Sequence, residues 1–208
     1  MSIRLPAPGV TAAFAVALAG AALLLLLQAM PDVHSVLEYR RAALATEPWR
    51  LLTAHIVHIN WTHAAVNAAA WLVLARLFEQ QIDAKRQLLS LLVGAALISL
   101  LLAAFYPSIE WYRGASGALH ALFFAGACAS LASALRSPSR TAALPPLTLL
   151  AGGSIKVALE IPPGAATPYV EWLAAATVPQ AHLLGAIAGA ALGLLLALSQ
   201  RRRKVLNP

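Results

Sequence analysis

The sequence predicts an all-α membrane protein, a bundle of six transmembrane helices, and two observations carry that expectation. Of 208 residues, 60% are hydrophobic and only 11% charged, with a mean hydropathy of +0.74. Soluble domains run near 45–50% apolar and about 25% charged, and a chain this short cannot hide such an excess in one water-solvated core. The charges also collect between long uncharged stretches rather than scattering along the chain. Together these exclude a soluble enzyme, a disordered tail and a fibrous protein. A single cysteine, Cys128, excludes an internal disulfide framework and a CxxC metal or redox site.

A helix needs about 20 apolar residues to cross a hydrocarbon core of about 30 Å. The expected spans are residues 10–30, 57–78, 87–107, 115–135, 141–160 and 179–200. The first follows Arg4 and so competes with a signal-peptide reading. Its apolar core exceeds the usual ~7–15 residues and Leu-Gln-Ala-Met-Pro is a poor cleavage site, so it reads as a retained span. The second opens on a polar run, and the third is plainly apolar. The fourth opens on Gly114-Ala115-Ser116-Gly117. The fifth is the shortest, contains Pro145-Pro146, and reaches span length only through Lys156 and Glu160; without it five spans remain. The sixth carries a stripe of small residues, Gly185, Gly189 and Gly193. No loop is long enough for a core of its own, so residues 1–208 form one domain.

Lysine and arginine set the orientation. With the N-terminus inside, inner segments hold ten basic residues: Arg4, Arg76, Lys85, Arg86, Arg136, Arg140, Arg201, Arg202, Arg203 and Lys204. Outer segments hold five: Arg40, Arg41, Arg50, Arg113 and Lys156. Both termini are expected on the cytoplasmic side. The run Arg201–Lys204 follows an apolar helix directly and reads as an anchor on anionic lipid, not as a nucleic-acid site.

Polar groups at membrane depth are costly, and each is a functional candidate. Three clusters fall at the outer ends of their spans: Thr53 to Asn67 on the second, Gly114 to His120 on the fourth, and His182 on the sixth. His63 and Asn67 are i,i+4 and share a face, as do Ser116 and His120. Small residues at every fourth position, Gly117, Ala121 and Ala125 facing Gly185, Gly189 and Gly193, let two helices approach closely. That approach brings His182 toward Ser116.

A serine hydroxyl becomes a nucleophile when an adjacent base takes its proton, and histidine titrates in the right range. Two bases are open to Ser116: His182, and His120 one turn along its own helix. Backbone amides of Ala115 and Ser116 at a helix N-terminus, with the His63 and Asn67 side chains, are candidate oxyanion donors. The constellation suits acyl transfer.

These residues resemble the rhomboid family of intramembrane serine proteases. The resemblance rests on Trp49-Arg50, His58-x4-His63-x3-Asn67, Gly114-x-Ser116-Gly117 and Ala181-His182-x2-Gly185-x3-Gly189, in the family's order on the second, fourth and sixth spans. It implies a rhomboid-like bundle and a Ser116–His182 dyad with no third acidic member. It also implies that His63 and Asn67 line the oxyanion hole, that Gly114 lets a loop approach the site, and that Glu79 is structural. No cofactor or metal is implied. Partners are membrane-anchored protein substrates and the bilayer, without nucleic acid. Where the family commonly places an aromatic one turn after the nucleophile, this chain has His120. That run, with Lys156 and Glu160 in the fifth span, looks like the rhombosortase branch. The branch implies C-terminal Gly-Gly, transmembrane and basic sorting tails of exported proteins as substrates. It also implies a bacterial inner membrane, with the site facing the periplasm.

Remaining residues read more plainly. His55 and His58 lack the carboxylate partners of a zinc site and are expected to brace the first loop. His34 is expected to be solvated in a loop, and Trp111 and Tyr112 to sit at the membrane interface. Lys156 and Glu160, i,i+4, are expected as a mutually neutralising pair or as contacts to a substrate's Gly-Gly segment. A haem protein and a catalytically silent helix binder are the competing classes. The first does not need Gly-x-Ser-Gly, and the second would lack the nucleophile or base.

Overall fold

A computed structural model describes residues 10–139, 141–161 and 177–206. Arg4, Arg140 and Trp172 lie outside the described residues. The long helices are α1 (Ala12–Gln28), α4 (Trp61–Phe78), α5 (Ala84–Phe105), α6 (Ser116–Ala134), α7 (Leu144–Glu160) and α8 (Pro179–Leu206). They stand where six spans are expected. By length and composition alone, α5, α6 and the Pro179–Ser199 part of α8 suffice to cross a membrane. A short helix α2 (Pro31–Leu37) follows α1 at a bend of 106°, and that pair passes the same test together; a one-turn helix α3 (Arg50–Thr53) precedes α4. At 18 residues α4 spans about 27 Å by helical rise, but its polar opening lowers its apolarity.

Two boundaries differ from expectation for local reasons. The second long helix starts at Trp61 rather than residue 57, because Asn60 adopts an extended conformation and its side chain accepts the His63 amide at 2.8 Å. That is an N-cap, which supplies a partner to one of the amides a helix start leaves open. In α7, Pro145 and Pro146 occupy the first turn, where a missing N–H removes no helical bond. The proline pair opens this helix instead of breaking it.

The loop between α1 and α4 is built by helix-end capping. His34, expected in solvent, is only 6% exposed, and its Nε2 lies 2.9 Å from the Leu27 carbonyl near the end of α1. At the end of α2 four successive carbonyls are met from the chain that follows. Arg50 donates to Ser35 and Glu38, Trp49 Nε1 to Val36, and Thr53 Oγ1 to Leu37. Arg41 likewise donates to the Leu102 and Ala103 carbonyls in the last turn of α5 and to the Tyr106 and Ile109 carbonyls just beyond it. Buried carbonyls without partners are expensive, most of all in a bilayer. Each arginine therefore fastens the loop to a helix it must otherwise leave exposed.

Two strands of two residues each, β1 (Tyr39–Arg40) and β2 (Trp111–Tyr112), pair antiparallel with Tyr39 opposite Tyr112. This ladder joins the first loop to the segment that leads into α6. Trp111 is half exposed, as an interface aromatic should be, but Tyr112 is buried and its hydroxyl donates to the Gly114 carbonyl at 2.6 Å. At the other end of the bundle Glu79 accepts from Thr11 at 2.7 Å and from Arg76 at 2.9 Å, clamping the start of α1 to the end of α4.

Helix α6 is the most buried of the apolar spans, and α8 lies closest to it. The cause is the small-residue stripe. A Cβ on Gly185 would collide with the Gly117 carbonyl, and one on Gly189 with the Ala121 carbonyl. From the other side, a Cβ on Gly117 would stand 2.9 Å from the Ala181 carbonyl oxygen. Backbone meets backbone along this seam, which fixes the spacing of the two helices that carry Ser116 and His182.

Candidate active site

Ser116 is the first residue of α6 and His182 lies in the first turn of α8. Their side chains meet across the glycine seam, with Ser116 Oγ 2.9 Å from His182 Nε2. The other candidate base, His120, is engaged elsewhere. Its Nδ1 is 2.7 Å from the Ser116 carbonyl, which can only accept, so Nδ1 carries the hydrogen. Its Nε2 then accepts from the Lys156 ammonium at 3.2 Å. Instead its ring stacks on His182, with centroids 4.4 Å apart and planes 17° apart. The histidine thus occupies the place of the expected aromatic.

The resemblance implies no acidic neighbour for His182, but the structure places one beside it. Glu160, at the end of α7, places Oε2 2.7 Å from His182 Nδ1, and the carboxylate is 4% exposed. Its other oxygen accepts from Lys156 Nζ at 2.6 Å. Glu160 is therefore engaged at both oxygens, buried, and not among the residues that line the cavity. Lys156 and Glu160 do pair, as the i,i+4 spacing suggests, but the pair is built onto His182. Lys156 remains partly exposed and lines the cavity beside Ser116.

That cavity, of about 390 Å³, is lined by His63, Asn67, Ser116, His120 and His182 at its polar end. Val66, Ala70, Leu74, Leu119 and Phe123 continue it along α4 and α6 as an apolar trough. Asn67 Nδ2 donates to the His63 carbonyl at 2.9 Å, which uses one of its two amide hydrogens. The Ala115 amide, an expected oxyanion donor, instead points to His58 Nε2 at 3.3 Å. The Ser116 amide opens α6, where helical geometry provides no carbonyl four residues back.

Gly114 sits at φ +126°, a conformation L side chains rarely adopt, and a Cβ there would stand 2.7 Å from His63 Cε1. Its amide donates to the Ala54 carbonyl at 2.9 Å and its carbonyl accepts from Tyr112. His55 holds the same loop from behind, 3.0 Å from Ser99 Oγ on α5. Burial pushes the His55 ring down to about 4 from the ordinary 6.5. Tyr112 and Ala54 escape sequence reasoning because nothing in their local spacing points to Gly114. Glu160 carried a signal, a carboxylate in an apolar span, but its partner lies 22 residues on in another helix.

A Rhomboid domain profile matches residues 45–199, three quarters of the chain. The chain belongs to the rhomboid family. Rhomboids are intramembrane serine proteases that act on membrane-embedded protein substrates. This rhomboid is accordingly a multi-pass integral membrane protein, with its polar cluster at one end of an apolar helical bundle. No curated protein matches the chain.

Proposed function

We propose that this rhomboid is an active intramembrane serine endopeptidase, in which Ser116 is the nucleophile and His182 the general base. The observation that carries the reading is the Ser116 Oγ–His182 Nε2 contact of 2.9 Å, opening onto a cavity that runs into an apolar trough. As Oγ bonds to the scissile carbonyl carbon, its proton passes to Nε2. The imidazolium then returns the proton to the leaving amine. The Ser116 amide, the His63 ring and the free Asn67 amide hydrogen hold the oxyanion. Water resolves the acyl-enzyme, or an amine acceptor does so in a transfer reaction.

The substrates we propose are exported proteins with C-terminal Gly-Gly, transmembrane and basic sorting tails, as in the rhombosortase branch. The chain would reside in a bacterial inner membrane, both termini cytoplasmic and the site toward the periplasm. An apolar trough meeting a compact polar end suits a helix that unwinds at glycines before entering. The test is mass spectrometry of the C-terminus of a Gly-Gly-tagged membrane protein, coexpressed with the wild type or with Ser116→Ala. Truncation at or near the Gly-Gly that requires Ser116 supports the reading. Equal cleavage of a single-span substrate lacking Gly-Gly points to a general rhomboid protease, and no cleavage of either to a silent helix binder.

A further inference from the structure

Resting on that reading, we infer that Glu160 is the positioning residue of the base: with Lys156 as its fixed counter-charge, it selects the His182 tautomer that can take the Ser116 proton. The hydrogen bonds assign the ring hydrogens of both histidines. A carboxylate offers only acceptors, so His182 Nδ1 must donate to Glu160 Oε2 across 2.7 Å. The lone pair is then left on Nε2, which faces Ser116 Oγ at 2.9 Å. Lys156 donates to Glu160 Oε1 at 2.6 Å and to His120 Nε2 at 3.2 Å. His120 Nδ1–H returns to the Ser116 carbonyl at 2.7 Å. The circuit Ser116–His182–Glu160–Lys156–His120–Ser116 is closed, and each of its five hydrogen bonds pairs one donor with one acceptor.

The burial pattern argues for this role over a simple helix anchor. A charge at membrane depth is costly unless paired. A snorkelling pair would turn both heads to the interface, yet Glu160 is 4% exposed while Lys156 keeps its outer side open. The carboxylate has been turned inward onto His182. When Ser116 gives up its proton, the imidazolium forms between its stacked neighbour His120 and the Glu160 carboxylate, which offsets the new positive charge. Without that carboxylate, the ring can rotate and present an N–H to Ser116. Glu160 does not line the substrate cavity, so its effect is on turnover rather than binding.

Glu160→Gln separates this from a structural role. Lys156 has only hydrogens to offer and takes the amide oxygen, so the amide nitrogen faces His182 Nδ1 and imposes the wrong tautomer. In serine proteases the equivalent isosteric change lowers turnover by about 10⁴-fold. We expect kcat for a single-span substrate in proteoliposomes to fall by about 100-fold or more, with KM within about twofold. The ¹⁵N spectrum of His182, identified by comparison with His182→Gln, should move its ring hydrogen from Nδ1 to Nε2. Wild-type kcat in Glu160→Gln overturns the inference, as does an Nε2–H tautomer in the wild type. The second result stands even if the variant does not fold. Cleavage that persists in Ser116→Ala instead overturns the protease reading itself.

Discussion

His182 is held on three sides: by Ser116 at Nε2, by Glu160 at Nδ1, and by the His120 ring lying parallel at 4.4 Å. Each contact comes from a different turn or helix, so the His182 ring is oriented by helix packing rather than by a local loop. The consequences below follow from how that packing is achieved.

Spacing between α6 and α8 depends on Gly185, whose missing side chain lets the helix rest on the Gly117 carbonyl. Gly185→Val should push His182 away from Ser116, reduce proteolysis by about 100-fold, and destabilise by ~1–3 kcal/mol as an overpacked core does. Gly152, inside α7, provides the control: nothing lies within 4 Å of a Cβ there, so Gly152→Ala should leave proteolysis unchanged and raise stability by up to about 1 kcal/mol through helix propensity. Thermal unfolding in detergent and a cleavage assay check both.

Gly114 combines a left-handed backbone with a close approach to His63. Gly114→Ala should cost ~1–3 kcal/mol of local strain. The loop ahead of Ser116 would shift, and turnover should drop more than stability does. A variant whose melting temperature falls by only a few degrees but which cleaves at least about tenfold more slowly would agree with this. Wild-type turnover would show that the loop tolerates a side chain against His63.

Acid should loosen the first loop through His55. Its ring is buried neutral, with the folded value near 4 and the ordinary value 6.5. Above pH 6.5 neither state binds the proton, and between 6.5 and about 4 only the unfolded state does. Stability is therefore fully present above pH 6.5 and declines toward pH 4, by up to about 3 kcal/mol from this group. The melting temperature measured from pH 7.5 downward should fall, and His55→Gln should flatten that slope.

Much of this was legible in the sequence because membranes penalise polar residues so strongly. Ser116, His182, His63 and Asn67 stand out against an apolar background, and the glycine stripe announces which two helices meet. The architecture followed from the same contrast. Three things were not legible. Helix caps such as Asn60, and the proline pair at the start of α7, are local signals that a search for apolar length overrides. The loop contacts of Arg41, Arg50 and Tyr112 join residues whose spacing carries no period. Glu160 was visible as a charge in a span, but its i,i+4 neighbour Lys156 explained it too easily. Only the fold shows that one oxygen serves the lysine and the other serves the base.

The central claim is that Ser116 and His182 together break a peptide bond in lipid. Purified wild type, Ser116→Ala and His182→Ala, each reconstituted in liposomes with a single-span substrate, test it directly. The wild type should release product, and each variant should lose at least about 10³-fold in rate while melting like the wild type. Undiminished cleavage by either variant contradicts the claim, because the proton path from Ser116 Oγ to His182 Nε2 would then serve no chemistry.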